Sequence, residues 1–340
     1  MMERLKSSRG LILLAVLASL VTVSLLAWLM IQIYQPYRGY EGAHQQVVIQ
    51  RGSTVPQIAG TLESHGIVRS SLLFEWYARF SYRPLILQAG EYRFEEPLNL
   101  PSVTKTLQAG LVYHYRVTIP EGLDMHEIAE RFTGEGFGAT DQFLEAMQRT
   151  TLMDDWDPRA ENNLEGYLFP DTYFLTRDIS EEEIVQVMVA NFRKAWTPER
   201  LKRAEELGFT TREVITLASL IEKETGLSNE RSLISAVFHN RLRKNLKLEC
   251  DPTVIYAVKL VKAFDGVINQ SDLKLDSPYN TYLYPGLPAG PIANPGLESI
   301  DAALYPAEVD YLFFVLANEG RHIFSSNYRD HNQAVAQYQR

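Results

Sequence analysis

The chain has 340 residues, 46% of them hydrophobic, with 42 acidic against 33 basic side chains and a net charge of −9. That length exceeds one average domain and leaves ample material for a core. The acidic balance and the lack of any Lys/Arg run exclude nucleic acid as the main partner, because phosphate neutralisation needs a basic face.

Residues 11–33 carry no charge, a stretch of about 23 residues that at about 1.5 Å per residue crosses a hydrocarbon core of about 30 Å. Arg4, Lys6 and Arg9 precede it, which by the positive-inside tendency keeps the N-terminus cytoplasmic and sends the remainder across the membrane. Trp28, Tyr34, Tyr37 and Tyr40 suit the outer interface. A cleaved signal peptide has an apolar core of only about 7–15 residues, and no A-x-A site closes this one. The expectation is an uncleaved transmembrane anchor over 11–33, a cytoplasmic tail over 1–10, and a linker over 34–45 marked by Pro36, Gly39 and Gly42. Cys250 is the single cysteine. It allows no intramolecular disulfide, and the chain is held by its helix and not by acylation near the anchor.

Val47-Val48-Ile49-Gln50-Arg51-Gly52 predicts a short strand ending at a turn glycine, and Pro56-Gln57-Ile58-Ala59 enters a helix that includes Leu62. A second helix runs through Leu72, Phe74, Trp76 and Tyr77, and Gly90-Glu91-Tyr92-Arg93-Phe94 reads as a return strand. Strand, helix, helix, strand makes a compact βααβ module within 46–114. Val47, Ile49, Gly52, Ile58 and Ala59 have counterparts in Val117, Ile119, Gly122, Ile128 and Ala129, so the strand-turn-helix motif recurs; two copies are too few for a solenoid. Gly134-Glu135-Gly136-Phe137-Gly138 does not lead from a strand into a nucleotide-type helix and is read as a turn.

From 115 to 340 helices alternate with short strands and Gly/Pro turns, and the fold class expected is α+β. Residues 181–196 and 198–207 look helical, and a third helix starts at Thr211. On its wheel Val214, Leu217, Ala218, Leu220 and Ile221 share a face, Glu224 falls beside Leu217, Leu220 and Ile221, and Glu222 projects to the flank with Ile215. A carboxyl drawn partly out of water resists ionisation and can serve as a general acid near neutral pH. An arbitrary helix glutamate is more often simply solvated. Gly226 breaks the helix, and a partner follows with Leu233, Ile234, Val237, Phe238 and Leu242 on its apolar face; helices joined by so short a turn pack together. Cys250, flanked by Glu249 and Asp251, reads as a small buried apolar residue and not a reactive thiol. The last hundred residues are rich in turns, and Tyr311 to Leu316 gives an apolar strand.

No G-x-S-x-G elbow, P-loop or H-E-x-x-H occurs. His322 and His331 lie near each other in sequence without further ligands at metal spacing, so neither a metal nor a cofactor is expected. Tyr279, Asn280 and Tyr282 offer rings and an amide of the kind that suits a neutral sugar polymer. The plainer reading is a turn held by Asn280 with its tyrosines half buried.

The strings Leu217-Ala218-Ser219-Leu220-Ile221-Glu222-Lys223-Glu224-Thr225, Val237-Phe238-His239-Asn240-Arg241-Leu242, Asp251-Pro252-Thr253-Val254-Ile255-Tyr256 and Tyr279-Asn280-Thr281-Tyr282 resemble the endolytic murein transglycosylases of the YceG-like family. Glu165-Gly166-Tyr167-Leu168-Phe169-Pro170-Asp171-Thr172-Tyr173, Gly286-Leu287-Pro288 to Gly296, and His322-Ile323-Phe324-Ser325 continue the similarity. The resemblance implies endolytic cleavage of the MurNAc-GlcNAc β-1,4 bond of nascent peptidoglycan strands, leaving 1,6-anhydro-MurNAc ends and terminating elongation. It places the essential acid at Glu224, with Asp251, Asn280 and Tyr282 as substrate contacts or supports for that acid. It implies a LysM-like module over 46–114 and a catalytic domain over 115–340, with membrane peptidoglycan synthases as partners; together with the anchor over 11–33 the expectation is a single-pass inner-membrane protein whose catalytic domain is periplasmic. Ala289 and Cys250 depart from the family pattern, and neither is expected to touch the acid. Glu222 and Glu230 are read as helix-surface or loop-anchoring groups. A non-catalytic glycan-binding scaffold and a hydrolytic muramidase remain the alternatives.

Overall fold

The computed structural model describes residues 2–153, 163–317 and 320–338, with the side chains of 2–11 and of Thr150 outside the described set. The Arg4, Lys6 and Arg9 side chains therefore lie outside the described residues. The fold is mixed helix and sheet with one long apolar N-terminal helix. The chain divides into two compact units, one of residues 1–115 with 174–178, the other of 116–173 with 179–340.

In the first unit α1 (Met2–Tyr34) leads to β1 (Gln45–Ile49), α2 (Val55–Ser64), α3 (Ser71–Ser81), β2 (Gly90–Phe94) and α4 (Leu100–Ala109). β1 and β2 pair antiparallel with Val47 opposite Tyr92 and Ile49 opposite Gly90. Alternation along β1 sends Val47 and Ile49 into a core with Ile58, Leu62, Phe74, Tyr92, Phe94 and Val103. α4 was not anticipated from the sequence: Asn99 caps it and Pro101 lies in its first turn, and its Leu100, Val103 and Leu107 close the core. Residues 35–44 are no free linker. Tyr37 pairs with Leu98, Gly39 N–H donates to Gly66 O at 2.8 Å, and the Tyr40 hydroxyl donates to Phe94 O at 2.9 Å. Their tyrosine rings supply contact area that a linker lacks. Ile33 at the end of α1 is itself buried in this core.

The repeat noted in sequence is a repeat in element order. β3 (Tyr115–Thr118), α5 (Met125–Gly134), α6 (Thr140–Met147) and β4 (Thr172–Leu175) again read strand, helix, helix, strand, and β3 pairs with β4. Beyond them come α7 (Glu181–Ala195), α8 (Pro198–Leu207), α9 (Thr211–Glu224), α10 (Ser228–Arg243), α11 (Asp251–Lys259), α12 (Leu297–Leu304), the antiparallel pair β5 (Phe313–Leu316) and β6 (His322–Ser325), and α13 (Tyr328–Tyr338). α9 is the centre of the second unit. Every residue from Val214 to Ile221 is buried, because α8, α10, α11 and α12 all pack against it. A helix with so little solvent on any side has no exposed flank, which is where the wheel had put Ile215 and Glu222.

Candidate active site at the end of α9

Thr210 and Glu213 start α9 with a reciprocal capping box. Its far end is fastened by its own polar residues. The Lys223 ammonium donates to Gly122 O at 3.0 Å. Glu222 accepts the Gly296 N–H at 3.1 Å and a bond from Arg231 at 3.3 Å. Arg231, 8% exposed, also reaches Ser299, Ser228, Glu298 and Glu121. The Glu222 side chain is only 7% exposed. The helix-surface half of the expectation for Glu222 is thus corrected and the loop-anchoring half describes it. Glu230 differs from a surface acid in the same way: it is 6% exposed and accepts both the His322 N–H at 3.0 Å and a bond from its Nδ1 at 2.7 Å.

Glu224, the last residue of α9, keeps a partly exposed surface while its carboxyl sits among protein atoms. Burial pushes its pKa up to about 7; a hydrogen bond from the Cys250 side chain opposes that rise, and the nearby charge of Asp251 adds to it. Cys250 immediately precedes α11, and its own placement is strict. Its N–H donates to Thr281 Oγ1 at 3.0 Å, its carbonyl accepts from Thr253 Oγ1 at 2.7 Å, and the two threonine hydroxyls meet at 2.9 Å. Arg241 fixes the approach to this turn by donating to the carbonyls of Lys247 and Leu248 and to Glu249. The expectation that Cys250 stands clear of the acid is therefore wrong. The thiol is buried, as expected, but it is a hydrogen-bond donor to Glu224, held protonated because burial and the Glu224 charge push its pKa up.

Asp251 is exposed and accepts a short bond, 2.5 Å, from the Tyr282 hydroxyl. Asn280 is 1% exposed and its amide is spent on the backbone, donating to Leu273 O and Leu275 O and accepting the Tyr282 N–H at 3.0 Å. Of the four residues singled out in sequence, Glu224, Asp251 and Tyr282 are linked through Cys250 and the start of α11, and Asn280 shapes the turn that carries Tyr282. A separate groove of about 750 Å³ lies at the opposite end of α9, lined by Phe209, Arg212, Thr216, Tyr279, Leu287 and Pro288, and Glu224 is not among its walls.

Sequence reasoning passed over a second desolvated acid. Glu165 is 2% exposed and accepts bonds from Met125 N–H at 3.2 Å, the Tyr256 hydroxyl at 3.1 Å and the Asn294 amide at 2.8 Å. Burial pushes its pKa up to about 8 in spite of these bonds. Its partners lie 40, 91 and 129 residues away, and no local periodicity signals them. Among the described residues no group of three or more His, Cys, Asp or Glu is arranged to hold a metal ion.

The sequence model of the YceG-like family matches residues 47–337. The endolytic murein transglycosylase of Bacillus subtilis strain 168 is 32% identical over 305 residues, covering 85% of this chain and 83% of the relative. That of Streptococcus pneumoniae serotype 2 is 32% identical over 324 residues, covering 86% of this chain but only 58% of the longer relative. The 2.6 Å crystal structure of a YceG-like protein from Listeria monocytogenes superposes with a TM-score of 0.58 at 30% identity, over 86% of this chain and 99% of that one.

Proposed function

The chain belongs to the YceG-like family, and on that premise we propose that it is a peptidoglycan lytic transglycosylase whose acid and base is Glu224. The observation that carries this reading is the desolvated carboxyl at the end of α9, poised near pKa 7 beside Cys250 and Asp251. At neutral pH a large fraction of Glu224 is protonated and can give its proton to the glycosidic oxygen as that bond breaks. The carboxylate so formed then takes the proton from the muramoyl O6 hydroxyl while O6 attacks the anomeric carbon. The products are a free GlcNAc hydroxyl and a 1,6-anhydro ring. A hydrolase needs a second carboxylate to activate water or form a covalent bond; here the nucleophile is part of the substrate and is delivered at high effective concentration. One acid is enough. Glu222 is unsuited to the role because its carboxyl is already engaged by the Arg231 guanidinium and the Gly296 N–H, which fasten the end of α9.

In the same reading α1 is a single-pass inner-membrane anchor with the N-terminus cytoplasmic, residues 46–114 form a LysM-like glycan-holding module, and 115–340 form a periplasmic catalytic domain that trims nascent strands near the synthases. Asp251 and Tyr282 contact the glycan or support the acid. The test is to incubate the detergent-solubilised chain with purified glycan strands and analyse the products by mass spectrometry. Anhydro ends identify a transglycosylase, reducing ends a muramidase, and absence of product a scaffold. The assignment of the acid is lost if Glu224→Gln cuts normally while Glu222→Gln does not.

A further inference from the structure

α3 is apolar on two sides. Phe74 and Ala78 face the core of the first unit, yet Leu72, Trp76 and Phe80, spaced four residues apart and so on one face, are 79%, 53% and 71% exposed. Trp76 and Phe80 stack with ring centroids 5.5 Å apart, making one continuous apolar strip with Leu72. Strips of this kind on a folded unit mark a surface that something covers.

The first unit says what covers it. Leu29 and Ile33, from the last turns of α1, pack into the same core that holds Phe74 and Ala78. Arg69, two residues before α3, donates to the Gln35 side chain at 3.2 Å, and its guanidinium lies 5.0 Å over the Tyr37 ring. α3 therefore begins at the level where the apolar helix ends. We propose that the Leu72-Trp76-Phe80 face of α3 lies in the lipid interface of the membrane that α1 spans, a second and in-plane attachment of the chain. The proposal rests on the reading of α1 as a membrane anchor.

The charge pattern fits lipid. Exposed Arg69, Arg79 and Arg83 border the strip, and the one acid on α3, Glu75, is paired with Arg79 at 2.9 Å. Residues 34–115 hold seven basic and six acidic side chains, a net charge of +1 in a chain of net −9. An interfacial helix needs such a combination, an apolar face sunk among acyl chains and cationic groups at anionic headgroups. Trp and Phe suit the boundary between the two. A glycan platform wants hydroxyl or amide groups around its rings; these rings have Leu72 and arginines beside them.

The experiment uses the full chain reconstituted into vesicles of phosphatidylcholine with a minority of phosphatidylglycerol. An environment-sensitive fluorophore is placed through Leu20→Cys, Leu72→Cys, Phe80→Cys or Val267→Cys, one at a time. Native Cys250, 2% exposed, is shielded from the label. The expected result is that probes at 72 and 80 lose most of their emission to nitroxide lipids labelled near the headgroup, the probe at 20 to lipids labelled at the acyl end, and the probe at 267 to neither. If 72 and 80 stay bright while 20 is quenched, the strip is not in lipid and the proposal falls while the anchor stands. A bright probe at 20 overturns the anchor and the proposal with it. Probes at 72 and 80 that ignore nitroxide lipid but become shielded as protein concentration rises, or on adding glycan strands, overturn it in favour of a second copy or of glycan.

Discussion

The thiol of Cys250 donates a hydrogen bond to the carboxyl of Glu224, joining the end of α9 to the residue just before α11. That bond pulls the Glu224 pKa down against burial and the Asp251 charge. Replacing it moves the acid's titration in a direction set by the new side chain. Cys250→Ala removes the donor and raises the Glu224 pKa; Cys250→Ser supplies a stronger donor and lowers it. Because a general acid must start protonated, the proposed role of Glu224 makes kcat/KM fall as pH rises through this pKa, so its alkaline limb moves up in the alanine variant and down in the serine variant. A profile unchanged in both would show that the thiol does not tune the acid.

Asp251 acts in the opposite sense, its negative charge raising the Glu224 pKa. In Asp251→Asn the alkaline limb moves to lower pH, by under about one unit for a partner exposed to solvent. The pH dependence of kcat/KM on defined glycan strands checks this, and a shift to higher pH contradicts it.

The raised pKa values of Glu165 and Glu224 make the fold itself sensitive to alkali. Glu165 ionises near pH 4.5 when unfolded and only near 8 when folded. Below 4.5 both states hold the proton and there is no penalty. Between 4.5 and 8 the folded state retains a proton that the unfolded state has lost, so stability declines with rising pH and levels off above 8. Glu165→Gln, a neutral isostere, flattens that decline and gains stability at pH 8 on the order of 4 kcal/mol. Denaturant titrations from pH 5 to 9 read it. Glu224→Gln behaves likewise above pH 7, and on the proposed assignment it also loses cleavage, the pattern of an active group held at a cost to stability.

Glu222 gives the converse result. Removing its carboxylate in Glu222→Ala leaves Arg231, 8% exposed, with fewer partners and leaves the Gly296 N–H unpaired. The expected loss is about 2–4 kcal/mol, below the full cost of orphaning a buried charge because Glu298 and Ser299 remain on Arg231. Equilibrium unfolding measures that loss. On the proposed assignment the folded fraction retains glycan cleavage at a rate within about tenfold of the parent, since Glu224, the proposed acid, is untouched.

Sequence alone determined what depends on neighbours along the chain. The uncharged stretch at 11–33 set the long apolar helix, alternation at Val47 and Ile49 set the inward face of β1, and the 3.6-residue period with Gly226 set the α9–α10 pair and put Glu224 next to the apolar stripe. The ordered strings from Glu165 to Ser325 named the family. Tertiary structure decided the environment of each acid, because desolvation and hydrogen bonding come from residues distant in sequence. Glu222 looked like a flank residue until Arg231 and Gly296 closed over it. Glu165 had no periodic signal, its partners being scattered from Met125 to Asn294. Cys250 lies 26 residues beyond Glu224, and only the docking of α11 on α9 brings its thiol to the carboxyl. A helical wheel records which way a side chain points along its own helix; whether it meets water, a cation or a thiol there is fixed by the other elements that pack around it.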